Sequence, residues 1–261
     1  MRSEEKLSER GFTLVEILFA IFVGMVLVGA AYLAMNSGQQ SSAGIERKVA
    51  AQQDVRASLQ TMGLELSMAS YNPNYISGIW HDLPAMNNTV QCTSLGNQAY
   101  KGIREATPTW IIIEMDIGES NSVGDDRGEI IRYEYELGTQ SITRETANCG
   151  NVRRPQAVFH FLGDDPSTGR PRTVRVINNN LDDPSRNIVN GRNDVAVFRY
   201  YNGIGAGGEL FPDINPGDIP NIRRIDITLA VETDEVDPST KARKQMTYMT
   251  SVAVRNHALN Q

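Results

Sequence analysis

The sequence predicts an α+β fold, in which one long N-terminal helix lies against an antiparallel β-sheet head. Three observations predict it. Phe12 to Met35 is a run of 24 residues with a single charge, Glu16. All eleven prolines lie after residue 72; proline costs ~3 kcal/mol in a helix interior, so only the first part of the chain can hold a long helix. From residue 70 onward, short alternating segments are separated by turn residues, the pattern of strands with one wet face.

Composition sets the outer bounds. The chain has 261 residues, 40% hydrophobic and 21% charged, a globular balance. A net charge of −6 argues against nonspecific nucleic-acid binding. Two cysteines and three scattered histidines leave too little for a four-thiolate zinc site or a histidine metal cluster. No cofactor and no resident metal are expected.

The apolar run comes first. At 1.5 Å per residue it is roughly 36 Å long, enough to cross a hydrocarbon core of about 30 Å. The leader before it, residues 1–11, holds three basic and three acidic side chains and is neutral. A secretory signal peptide is shorter and ends in a small-residue cleavage site, which is not evident here. A plain single-span anchor is the second reading. The third starts from the junction Arg10-Gly11-Phe12-Thr13-Leu14-Val15-Glu16, where a polar leader ends in glycine and a lone carboxylate follows just inside the run.

That junction resembles the type IV prepilin family, whose class III signal sequences join a leader, a Gly-Phe bond, a glutamate and an apolar span. The resemblance implies a cut between Gly11 and Phe12 by a prepilin peptidase and N-methylation of Phe12. It also implies a role for Glu16 in assembly. A carboxylate in an apolar helix costs ~2.5–3.5 kcal/mol on insertion scales and usually has a partner. The new amine of a neighbouring subunit is such a partner, and pairing with it fixes an axial register. The alternative is that Glu16 snorkels to the headgroups.

Beyond residue 35 the helix becomes amphipathic. Ile45, Val49, Gln52, Val55, Leu59, Met62 and Leu66 fall on one stripe, predicted to pack on the head. Asn72-Pro73 is the predicted stop. Gly24, Gly29, Gly38 and Gly44 read either as joints or as sites of close helix packing. Many major pilins have a kinking proline within this span, and this chain has none.

The expected organisation is therefore a cleaved leader (1–11), a transmembrane half-helix (12–35), an amphipathic half-helix (36–69) and a β-rich head outside the cytoplasm (70–261). Expected strands are 109–114, 129–135, 141–144, 157–162, 173–177, 196–201, 225–232 and 246–255, the last two forming a long-looped hairpin. These are read as one antiparallel sheet whose inner face covers the helix. Asp54 to Pro73 and Arg223 to Asn256 resemble the PilW-like minor pilins and, less closely, the J-type pseudopilins of type II secretion.

Taken together, the resemblances imply a pilin-like fold and a minor pilin of a type IV pilus. Such a protein stays in the bacterial inner membrane until it joins a filament at the cell surface. The implied partners are other minor pilins, the major pilin, the prepilin peptidase, the platform and alignment proteins, and membrane lipid. No nucleic acid is expected. A J-type pseudopilin and a pilin-stemmed adhesin or DNA-contacting tip protein are the alternatives. The protein is not expected to be an enzyme.

Other features are weighed against bland readings. Outside the cytoplasm Cys92 and Cys149 are expected to form a disulfide; two buried thiols are the alternative. Cys149 with His160 as a nucleophile pair is set aside in favour of that bridge. Gly203, Gly205 and Gly208 match G-x-G-x-x-G, but prolines follow where a dinucleotide site needs a helix. Asp116, Glu119, Asn121, Asp125, Asp126 and Glu129 crowd one loop and are read as solvated, with calcium the sharper alternative. Arg153, Arg154, Arg170, Arg172 and Arg175 are read as a solvated face. Trp80, Trp110, Tyr200 and Tyr201 are read as core.

Overall fold

A computed structural model describes residues 12–82, 94–95, 97–118, 120–126, 128–147, 159–163, 172–178, 195–205, 207–238 and 240–258. Helix α1 spans Leu14–Ser67, 54 residues and about 81 Å at the usual rise. It runs unbroken through Gly24, Gly29, Gly38 and Gly44. Nothing approaches Gly24, Gly29 or Gly38, whereas a Cβ on Gly44 would sit 3.3 Å from Asp237 Oδ1. Close packing thus applies at Gly44. The helix ends a few residues before the expected Asn72-Pro73 stop, at a Met68 cap, and Ser70 turns the chain with a left-handed φ of 64°.

The strands are β1 (His81–Asp82), β2 (Ser94–Leu95), β3 (Ile103–Ala106), β4 (Trp110–Glu114), β5 (Ile130–Glu136), β6 (Ser141–Ala147), β7 (Phe159–Leu162), β8 (Val174–Val176), β9 (Phe198–Tyr201), β10 (Glu209–Leu210), β11 (Arg224–Thr233) and β12 (Gln245–Ala253). All pairings are antiparallel. They form two five-stranded sheets and a small ribbon, where the sequence suggested one sheet. The first sheet is a meander, β3-β4-β5-β6-β7. The second runs β10-β9-β11-β12, with β8 sharing the β9 side of β11. The long-looped hairpin is present as β11–β12, paired over nine residues without a register shift.

The main core lies where both sheets meet the helix. Ala51, Val55, Leu59, Met62 and Leu66 pack with Ile111, Ile113, Tyr133, Ile225, Ile227 and Leu229 in one buried cluster. The other face of β4 and β5 is also covered, by Trp80, Ile79 and Val123 against Ile112 and Ile130. Burial on both faces explains why Trp110-Ile-Ile-Ile113 is a continuous apolar run instead of an alternating one.

The buried stripe begins later than its period suggests. Ile45 and Val49 are exposed, and the first buried helix residue is Ala51. Among the described residues, only the β11–β12 connection touches the helix at that level, through Arg47 Nη2 to Glu235 Oε2 at 2.6 Å and Arg47 Nη1 to the Val236 carbonyl at 3.2 Å.

Candidate functional site

Of the sequence-predicted site residues, Phe12 and Glu16 lie at the start of the helix. Gly11, Cys92 and Cys149 lie outside the described residues, so the junction itself and the expected disulfide have no structural account. Phe12 is 84% exposed, and every large apolar side chain from there to Met35 is exposed. The helix is long and apolar enough to cross a membrane, and none of that apolar stretch is buried. So large an apolar surface needs a cover of lipid or of like helices.

Glu16 sits in the first turn. Its Oε2 accepts from the Thr13 backbone N–H at 2.9 Å and from the Thr13 hydroxyl at 3.0 Å. The Thr13 Oγ1 in return accepts from the Glu16 N–H at 3.3 Å. This is a reciprocal capping box, and it satisfies donors that have no intrahelical partner. Both side-chain bonds fall on Oε2, and no bond to Oε1 is made among the described residues. Thr-x-x-Glu before an apolar run is the sequence signal for such a box.

At the other end, polar groups lock the helix to the head. Glu65 receives both arms of Arg144, Nε to Oε2 at 3.0 Å and Nη2 to Oε1 at 2.8 Å. The Tyr133 hydroxyl donates to the same Oε2. Burial, together with the Glu65 charge, pushes the Tyr133 phenol well above its ordinary range, so it stays a donor. Phe161 meets the Tyr133 ring edge-on at 5.4 Å.

Just past the helix, Ser70 and His257 form a second lock. His257 Nδ1 lies 2.8 Å from the Ser70 hydroxyl, and its Nε2 lies 2.8 Å from the Ile219 carbonyl. The Nε2–H therefore donates to Ile219, and Nδ1 accepts from Ser70, which itself accepts from the Gly102 N–H at 3.1 Å. Gly102 must be glycine, since a Cβ would fall 2.3 Å from the Glu114 carbonyl oxygen. Burial holds the imidazole pKa down to about 4, with Lys101 and Arg223 adding to the effect. A serine beside a histidine suggests a nucleophile, but both are fully buried and the imidazole is a weak base. The pair ties helix end, C-terminus and the turn at Pro216–Asn221 together.

The remaining sequence candidates separate cleanly. In the acidic loop, Glu129 is buried and its two oxygens accept from the N–H groups of Ile117, Gly118, Gly124 and Asp126. Asp116 accepts from Ser120 and Asn121 in the same way. Both carboxylates organise the loop. Asp125 and Asp126 are exposed beside Glu129, and Glu119 lies outside the described residues. Gly203, Gly205 and Gly208 belong to the β9–β10 connection, which leads into a strand and then a proline-bearing 3-10 turn. Arg175 pairs with Asp234 at 2.5 Å, and Arg172 donates to the Thr139 carbonyl at 2.7 Å; Arg153, Arg154 and Arg170 lie outside the described residues. Trp80 and Tyr200 are core, while Trp110 and Tyr201 are half-buried, the latter under the Arg224 guanidinium at 4.0 Å.

A family model described as the prokaryotic N-terminal methylation motif matches residues 6–32. The match covers the second half of the leader, the Gly11-Phe12 junction, Glu16 and most of the exposed apolar helix. This end of the chain thus carries the class III signal motif, consistent with a type IV prepilin-like protein, and the motif implies processing by prepilin peptidase and assembly with pilus machinery. No curated protein and no solved structure matches the chain.

Proposed function

We propose that this chain is a minor pilin of a type IV pilus, of the PilW-like kind. It is cut between Gly11 and Phe12, methylated on Phe12, held in the inner membrane by residues 12–35, and drawn from there into or under a filament. The observation that carries this reading is the methylation motif at residues 6–32 leading straight into a helix whose apolar half has no cover of its own.

The mechanism is assembly, without turnover of a substrate. The capping box lowers the cost of Glu16 in the membrane before any neighbour arrives, because two donors already meet its charge. The second oxygen remains for the Phe12 amine of a neighbouring subunit. Pairing in an apolar surrounding is strong only at one stagger, which sets the axial position of each subunit. The minor-pilin assignment draws on the resemblance of Asp54 to Pro73 and Arg223 to Asn256. In the fold these segments meet, since the helix end packs on β11 and β12. Partners under this reading are the other minor pilins, the major pilin, and the platform and alignment proteins.

The test is recovery of the chain from sheared filaments. The wild-type protein is expected in the sheared fraction in its cut form. Glu16→Ala is expected to be cut normally yet to fall in that fraction by about tenfold or more, the effect of losing one charge-assisted bond. Equal incorporation of the two would overturn the pairing, and absence of the wild type from filaments would overturn the pilin reading. Peptide mapping without reductant is expected to join Cys92 to Cys149; free thiols at both positions would refute that bridge.

A further inference from the structure

Among the described residues, strand β12 is the last strand of its sheet and pairs on one side only, with β11. The flanking bonds fix which groups face which side. Thr233 N–H donates to the Lys244 carbonyl at 3.0 Å, and Val254 N–H donates to the Arg223 carbonyl at 3.0 Å. Even-numbered residues therefore bond to β11, and the backbone groups of Gln245, Thr247, Met249, Ser251 and Ala253 point to the open side. Among the described residues nothing pairs with them. The edge is also unguarded. Gln245 to Ala253 contains no charge, no proline and no register shift, the devices by which proteins usually blunt such an edge. Met249 stands 71% exposed in the middle of it.

The direction of β12 narrows what can pair there. Gln52 Nε2 lies 3.8 Å from Met246 Sδ, and a Cβ on Gly63 would lie 3.7 Å from Val252 Cγ2. The strand therefore runs the same way as the helix, from near the membrane outward, and the loop before it touches Arg47. Two copies joined by antiparallel pairing of their β12 edges would send their apolar stems in opposite directions, which one membrane cannot accept. A copy standing in the same orientation would offer only short edge strands, β10 of two residues and β3 and β7 of four each, against the nine of β12. Parallel pairing of two β12 edges would keep the stems aligned but is the weaker ladder per residue, so a full-length antiparallel partner strand comes from another kind of chain.

We propose that the open edge of β12 takes an antiparallel strand from a different pilin-like subunit, anchored in the same membrane and standing beside this one. This rests on the pilin reading above and names a surface that reading does not supply. Backbone bonds from Thr247, Met249 and Ser251 would hold the strand, and the exposed Met249 would cover part of it.

The test uses the full-length chain in its own cells, with a photo-crosslinking residue placed at Ser251. The expected result is an adduct whose sequenced peptide belongs to another membrane protein with a methylation motif at its own N-terminus. Thr247→Pro removes an outward N–H and leaves the β11 ladder intact; Met249→Lys puts a charge on the edge without touching the backbone. Both are expected to keep the wild-type thermal midpoint and to lower the adduct by about tenfold. No adduct, an adduct only to a second copy of this chain, or an adduct unchanged in both variants would overturn the proposal. The N-terminal mass measured on the same samples reports on processing separately. An uncut chain that still gives the adduct keeps the edge and overturns the processing; a cut chain without the adduct does the reverse.

Discussion

One continuous helix serves two surroundings. From Leu14 to residue 50 no residue is buried, although its first part, to Met35, is the most apolar stretch of the chain; from Ala51 to Ser67 six residues are buried, although charges are interspersed. Hydrophobicity alone therefore does not say where a core lies. The upper half finds its cover in its own head, along a stripe about 100° wide. The lower half presents apolar atoms on every side, so its cover has to be lipid first and other helices afterwards. The polar groups divide in the same way. Glu65 is answered by Arg144 and Tyr133 of the same chain, whereas Glu16 is only half answered by Thr13.

The sharpest way to break this contrast is at the junction. Gly11→Val is expected to leave a full-length, membrane-bound chain. A mature product of normal mass would contradict the processing site. Next comes the same truncation in each half. Leu66→Ala removes a fully buried side chain and is expected to cost ~2–5 kcal/mol, read from denaturation followed by tryptophan fluorescence. Both tryptophans, Trp80 and Trp110, report on the head. Leu18→Ala is expected to leave that transition unmoved; a comparable loss would show that the stem packs on the head.

The pH dependence of the head sharpens the comparison further. His257 titrates near 6.5 when unfolded and near 4 when folded, because burial disfavours the imidazolium. Its neutral form is the one that fits, so the Ser70 lock is fully in place above pH 6.5 and is lost as the pH falls toward 4. The expected loss is on the order of 3 kcal/mol across that window. His257→Phe is expected to lower stability at neutral pH and to flatten the acid limb; an unchanged acid limb would exclude the lock as its cause. The smallest effect is expected at Thr13→Ala, ~1 kcal/mol for a lost cap, seen as faster amide exchange in the first turn only.

How much of this the sequence carried can be told residue by residue. The long helix, the hairpin and most strands were legible because period and proline placement are local properties. Strand β3 escaped because Arg104 is buried inside it, paired with Glu114 at 3.6 Å, which hides the alternation. Strand β10 escaped because two residues make no pattern. Ile45 and Val49 follow the helical period faithfully, yet period cannot report how far the head extends along the helix. The split into two sheets depends on long-range pairing, such as β8 to β11 over more than fifty residues. Ser70 and His257 stand 187 residues apart and carry no mutual signal. At the assembly end, by contrast, nearly everything lies within one turn of helix, and the Gly11-Phe12-Thr13-x-x-Glu16 string could be read directly.

The central claim is that the exposed half of α1 is the newly made N-terminus of a processed subunit. Mass spectrometry of the N-terminal peptide from the native, membrane-derived protein tests it most directly. The expected chain begins at Phe12 and bears one methyl group on its amine. A chain that begins at Met1, or at Phe12 with an unmodified amine, would contradict it.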